Sequence, residues 1–146
     1  MKRQEAWSLV LEKIPNANLR KHVLAVEAVM RRLAGEAGAD EEDWGLAGVL
    51  HDIDYGITTD PAQHTLIGAR MLSELGLPEE IIEAVKAHNE YHGLPRVTPM
   101  AKALFAADAL TGLIVAGALI HPEKKLAPLT PEFILKRYKE KSFARG

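Results

Sequence analysis

Apolar side chains recur along this chain at the three- and four-residue spacing that is typical of amphipathic α-helices. The pattern is clearest over residues 17–37, where one stripe is formed by Leu19, Val23, Val26, Met30 and Leu33. No segment alternates apolar and polar residues for long enough to indicate a β-strand. The pattern therefore predicts an all-α protein.

Capping residues and helix breakers divide the chain into six or seven predicted helices. Asp40 and Asp60 are predicted N-caps, and Pro61 follows Asp60 at a first helical position. The predicted ranges are 3–14, 17–37, 41–54, 61–76, 79–89, 99–120 and 130–141. No repeat or long linker separates them, so residues 1–146 are expected to form a single domain.

Composition and charge narrow the class of protein. The net charge is −2, which gives no global attraction to a nucleic-acid duplex, and the absence of cysteine excludes disulfides and thiolate chemistry. The longest apolar stretch, Ala103 to Ile120, contains Asp108, which favours a buried core helix over a membrane span. The N-terminal residues lack the apolar core of a signal peptide. A soluble, cytoplasmic protein without a membrane partner is expected.

Candidate chemistry centres on the adjacent pair His51-Asp52, which ends an apolar run. Four further candidate metal ligands lie along the chain: His22, His64, His88 and Asp108. A carboxylate inside an apolar helix, as at Asp108, is costly unless it is paired or binds a metal. Imidazole and carboxylate ligands suit Mn, Fe, Co, Ni or Zn. Six ligands exceed the usual need of one catalytic ion, so one or two divalent ions are expected, with Asp52 able to bridge a pair.

Three glycines lie one helical turn from these candidates. Gly48 precedes Asp52, Gly68 follows His64, and Gly112 follows Asp108, each by four residues. Small residues there would leave space for an ion and a substrate. Close packing of helices is the alternative explanation, and the sequence leaves both open.

The order of these residues resembles that of the HD domain superfamily of metal-dependent phosphohydrolases, over roughly residues 17–120. The resemblance implies that His22, His51, Asp52 and Asp108 hold a first metal at the centre of a helical bundle. His64 and His88 resemble the two additional histidines of the HDIG-like branch. They imply a second metal that shares Asp52 with the first.

The sequence also departs from parts of the superfamily. There is no Gly-Tyr-Pro motif, and His88-Asn89-Glu90 stands where cyclic-dinucleotide phosphodiesterases have His-His-Glu, so that activity is not expected. Asp54-Tyr55 replaces the glycine and lysine that often follow His-Asp-Ile. Asp54 is a candidate catalytic residue with Asp52. It either orients a ligand or simply ends the helix, and the sequence favours neither.

Further expectations concern the substrate and the end of the chain. Arg20, Lys21 and Lys86 are the candidate phosphate-binding side chains, because they are near ligand positions in sequence. The tail, including Phe143-Ala144, resembles that of small HDIG-type proteins that often continue further. A final helix is therefore expected to be missing after Gly146.

The leading functional hypothesis is hydrolysis of a small-molecule phosphate ester, such as a nucleotide, by a metal-activated water. Two rivals remain at this point. Some superfamily members with the same six ligands resemble di-iron oxygenases, and a non-catalytic, metal-stabilised regulatory module would use the ligands for folding alone.

Overall fold

A computed structural model describes residues 1–140, and this part of the chain is helical, with no β-strand. The seven α-helices are α1 (Arg3–Lys13), α2 (Ala17–Ala37), α3 (Glu41–Leu50), α4 (Leu66–Glu74), α5 (Glu79–His88), α6 (Pro99–Ile120) and α7 (Pro131–Tyr138). A single 3-10 turn, Glu90–His92, follows α5. The predicted all-α class is confirmed.

Local capping explains several helix ends. The side chains of Asn16 and Asp40 each accept hydrogen bonds from two backbone N–H groups in the first turn of α2 and α3. These bonds satisfy donors that have no partner within the helix. Gly38 ends α2 with a φ of 66°, a left-handed conformation that glycine adopts without a Cβ clash. The predicted bounds of α2 and α6 agree with the structure.

The chain forms two compact units, Met1–Ala107 and the part from Asp108 onward. In the first unit α3 packs against α2, α1 and α5, and α4 packs against α5. Its core is a continuous cluster of buried apolar residues that includes Val26, Met30, Leu50, Ile53, Ile81, Val85 and Leu104. The second unit holds most of α6 and all of α7, and Ile134 of α7 packs where a side chain at Gly117 would lie.

Helices α2 and α3 approach each other closely at Gly48. A Cβ atom added at Gly48 would lie 2.8 Å from the Cα atom of Glu27, a distance that real Cβ contacts essentially never show. Gly48 therefore permits close packing of the two backbones. Of the two explanations for this glycine, the structure supports packing.

Two predicted helix ends were wrong, and both lie beside the candidate site. Helix α3 ends at Leu50 and not near Asp54, and residues 51–57 form consecutive turns. Helix α4 begins at Leu66, although Asp60 accepts a hydrogen bond from the N–H of Ala62 as a cap would. The helical path is interrupted at Thr65, whose φ is 71°. Contacts with residues distant in sequence cause this interruption.

Helix α6 is apolar over its whole length but buried only in part. Met100, Ala101, Leu104 and Ala107 belong to the core, whereas Leu119 is 66% and Ile120 51% exposed, so the expected burial holds only for the first part. Within residues 1–140, α6 alone is long and apolar enough to cross a membrane. Length and composition do not distinguish such a span from a core helix of a soluble protein.

The last predicted helix is shorter than expected. Helix α7 covers Pro131–Tyr138, with the Thr130 hydroxyl accepting a hydrogen bond from the N–H of Phe133. The predicted end at Lys141 and the tail Phe143-Ala144 lie outside the described residues.

Candidate metal centre

The first unit brings four imidazoles to one buried carboxylate. His22 lies on α2, His51 and Asp52 directly follow α3, His64 precedes α4, and His88 is the last residue of α5. Asp52 is 4% exposed and His51 is fully buried. Four segments that are distant in sequence thus meet at the side chain of Asp52.

The imidazoles divide into two pairs around the carboxylate of Asp52. The Nε2 atoms of His22 and His51 lie 3.5 and 3.3 Å from Oδ2 and 3.2 Å from each other. The Nε2 atoms of His64 and His88 each lie 3.5 Å from Oδ1. Two donors bound to one ion at about 2.1 Å, with right or tetrahedral angles, would be about 3.0–3.4 Å apart. The observed spacing therefore suits metal coordination on each side of the carboxylate.

Hydrogen bonds at the opposite ring nitrogen orient three of these imidazoles. The Nδ1 atoms of His51 and His88 donate to the backbone carbonyls of Gly48 and Val85, at 2.8 and 2.7 Å. The Nδ1 atom of His64 lies 2.8 Å from Oδ1 of Asp54. With the proton on Nδ1, each Nε2 keeps its lone pair for a metal, as is usual for histidine ligands.

The ionised form of Asp52 is stabilised by its neighbours. Burial acts to raise the pKa of Asp52, but His51 and His88 in their doubly protonated forms outweigh burial through their charge and hydrogen bonds, and they hold the pKa well below its usual range. His51, Asp52 and His88 also form a group whose potential ligand atoms all lie within 4.8 Å of one another. The donor set is thus an ionised carboxylate with oriented imidazoles, which fits a divalent transition metal.

Asp54 lies behind this cluster and is fully buried. Besides its contact with His64, its Oδ2 atom accepts hydrogen bonds from the backbone N–H groups of Thr65 and Gly68, at 2.7 and 2.9 Å. A Cβ atom at Gly68 would lie 3.2 Å from the same oxygen. Gly68 therefore makes room for Asp54, and the suggested space for an ion at this glycine is taken by that carboxylate.

Two residues that the sequence analysis did not assign to the site bind the backbone of His64. The side-chain amide of Asn89 donates to the carbonyls of Pro61 and His64, at 2.8 and 3.1 Å. His92 donates from Nε2 to the same His64 carbonyl at 2.9 Å. The only signal for these residues in the sequence was their place within four residues after His88.

The remaining predicted site residues have other surroundings. The guanidinium of Arg20 donates to the carbonyls of Ile14 and Leu11, at the end of α1. The Nζ atom of Lys86 lies 2.6 Å from a carboxylate oxygen of Glu83. Lys21 is exposed on α2.

The last predicted ligand is Asp108, on α6. Asp108 is a half-buried residue of α6 and the first residue of the second unit. Around Gly112, one turn further along α6, a Cβ atom would meet nothing within 4 Å. The ring of Tyr55 packs against the ring of His64, with 4.2 Å between the centroids and 35° between the ring planes.

Comparison with known proteins identifies the family. Residues 19–113 match the model of the HD domain, and the chain therefore belongs to this family. The HD domain superfamily is typically one of metal-dependent phosphohydrolases, and the buried histidine and aspartate cluster of this chain can hold a divalent metal ion.

The curated proteins similar to this chain include several bacterial proteins named ribonuclease Y. The chain is 33% identical over 96 residues to the one from Lawsonia intracellularis, which covers 65% of this chain and 18% of that protein. It is 38% identical over 96 residues to the one from Thermosipho melanesiensis, covering 64% and 18% of the two chains. The match thus spans less than a fifth of these relatives. No solved structure matches the chain significantly.

Proposed function

We propose that this protein hydrolyses a small-molecule phosphate ester with the help of one or two divalent transition-metal ions. The observation that carries the proposal is the arrangement around Asp52, where each carboxylate oxygen faces the Nε2 atoms of two histidines. A carboxylate placed in this way is suited to bridge two ions. Membership of the HD domain family supports the same chemistry.

The proposed ligand set follows the order of the motif. His22, His51 and Asp52 hold one ion together with Asp108, which lies inside the region that matches the HD domain. His64, His88 and the second oxygen of Asp52 hold the other. A bound divalent ion would polarise the phosphoryl oxygens and lower the pKa of a water molecule to near neutrality.

The protein's own contribution is to orient donors and to keep them in the correct protonation state. The carbonyls of Gly48 and Val85 fix the protons of His51 and His88 on Nδ1. Metal binding requires neutral imidazoles, so hydrolysis should decline at acid pH.

A small substrate agrees with the charge of the first unit. Residues 1–107 contain eleven Lys and Arg against sixteen Asp and Glu, which does not attract a long polyanion. The relatives are named ribonucleases, and this makes a phosphodiester of RNA the natural competitor. Lys21 is the proposed phosphate contact, because Arg20 and Lys86 are engaged by α1 carbonyls and by Glu83.

The test is a substrate screen with protein loaded with Mn, Fe, Co or Ni under strict anaerobiosis. The panel contains nucleotides, small phosphomonoesters and phosphodiesters, and short single-stranded RNA. Release of phosphate or of a nucleoside product from a small ester, lost in His51→Ala, is the expected result. A matched control is His121→Ala, which removes an imidazole on the loop after α6.

Cleavage of RNA without hydrolysis of any small ester would keep the reaction class but replace the substrate. Oxygen uptake by the iron-loaded protein with an organic substrate, and no hydrolysis, would instead establish the oxygenase alternative.

A further inference from the structure

The two carboxylate oxygens of Asp54 have different partners. Oδ1 faces the Nδ1 atom of His64 at 2.8 Å, while Oδ2 accepts the backbone N–H groups of Thr65 and Gly68. One oxygen therefore contacts a ring that faces the metal centre, and the other contacts the backbone that carries this ring into α4.

The backbone beside His64 adopts a conformation that β-branched residues rarely adopt. Thr65 has a φ of 71° and is fully buried, and its hydroxyl donates to the carbonyl of Lys86 at 3.2 Å. Such a residue persists only where surrounding contacts over-determine it. The Asp54 carboxylate, which accepts the Thr65 N–H, is one of these contacts.

We propose that Asp54 is a positioning residue that sets both the tautomer and the place of His64, and through it the affinity of one of the two metal positions. This inference rests on the proposed function, in which His64 is a metal ligand. Asp54 is fully buried and its two oxygens are engaged, so it acts through His64. In this proposal Asp54 has a positioning role, whereas the sequence analysis named it as a candidate catalytic residue.

A purely structural role would use only Oδ2, as a cap for the first turn of α4. The variant Asp54→Asn separates the two roles. Its amide oxygen can still accept the N–H groups of Thr65 and Gly68, and this places the NH₂ group against Nδ1 of His64. An NH₂ group donates, so His64 would carry its own proton on Nε2 and lose the lone pair that a metal needs. The variant therefore keeps the cap on the first turn of α4, but its His64 can no longer bind a metal ion through Nε2.

The experiment combines NMR of the metal-free protein with titration by Co²⁺ alone. In the wild-type protein, nitrogen–proton correlations should show His64 protonated on Nδ1, and in Asp54→Asn on Nε2. One of the two Co²⁺ binding steps, the one that uses His64, should lose about 10- to 100-fold in affinity, as is typical when the partner of a histidine ligand is removed. The other position should change little. Asp60→Asn is the matched control, because exposed Asp60 accepts a backbone N–H of Ala62 but contacts no imidazole.

Two results would overturn the inference. One is a folded Asp54→Asn variant that binds both Co²⁺ ions with wild-type affinity. If that variant does not fold, Gly68→Ala decides, because its Cβ atom, 3.2 Å from Oδ2, must displace the carboxylate without removing its charge. Unchanged Co²⁺ affinity in Gly68→Ala would then reject the role. Both readouts are independent of catalysis, so failure to hydrolyse any phosphate ester would leave this inference standing.

Discussion

Removal of Asp52 should abolish the high-affinity binding of two ions, whereas removal of His88 should affect mainly one. The reason is the division of contacts, since Oδ2 of Asp52 faces His22 and His51, and Oδ1 faces His64 and His88. Asp52→Ala therefore removes one ligand from each proposed position. His88→Ala removes one ligand from a single position.

The size of the effect follows from the number of ligands. A four-ligand structural zinc site contributes about 10–16 kcal/mol, which is roughly 2.5–4 kcal/mol for each ligand. At 1.4 kcal/mol per tenfold change, each lost ligand weakens binding by about 100- to 1,000-fold. Asp52→Ala should show this loss in both binding steps, and His88→Ala in one.

The assay is equilibrium dialysis against Mn²⁺ or Co²⁺ followed by elemental analysis, with calorimetry for the separate steps. Circular dichroism must first show that each variant is folded, because metal binding and folding are linked. Asp60→Asn provides an exposed acidic control. If Asp52→Ala still binds one ion with wild-type affinity, the carboxylate does not bridge two ions. If the wild-type protein itself binds no more than one ion, the second metal position does not exist.

Two further predictions address the scaffold of the site. Gly48→Ala should destabilise the protein by about 1–3 kcal/mol, the usual cost of overpacking, because its Cβ atom would lie 2.8 Å from Cα of Glu27. Denaturant unfolding measures this, and an unchanged midpoint would contradict the packing role. Asn89→Ala should cost about 1–3 kcal/mol, because the side chain loses three hydrogen bonds, and it should weaken one Co²⁺ binding step. If Asn89→Ala binds Co²⁺ with the same affinities as the wild-type protein, this amide does not support the metal centre.

The ligand types and their order along the chain could be predicted from the sequence, but the atoms that face each other could not. The sequence indicated that His64 and His88 form one group and His22 and His51 another, through resemblance to the HD domain superfamily. Only the structure assigns each pair to one oxygen of Asp52. Which histidine nitrogen faces which oxygen of Asp52 depends on how the helices pack. It also depends on the hydrogen bond that the other nitrogen of each ring makes.

Helix ends that are set by a capping residue could be predicted from the sequence alone. Asn16 and Gly38 bound α2 through contacts with their own neighbours, and the sequence predicted both ends correctly. Such caps satisfy backbone groups of the same helix, so nothing distant is needed to interpret them.

The ends of α3 and α4 were decided by tertiary structure. The N–H groups of Thr65 and Gly68 bind a carboxylate eleven and fourteen residues away, and this contact outweighs the helix-start signal at Asp60. The other oxygen of Asp54 lies 2.8 Å from Nδ1 of His64, which supports the orienting role proposed above. The sequence by itself determined the helical class, the family resemblance and the candidate donors, because these depend on periodicity and residue type. The long-range hydrogen bonds that aim the donors arise only when the helices pack.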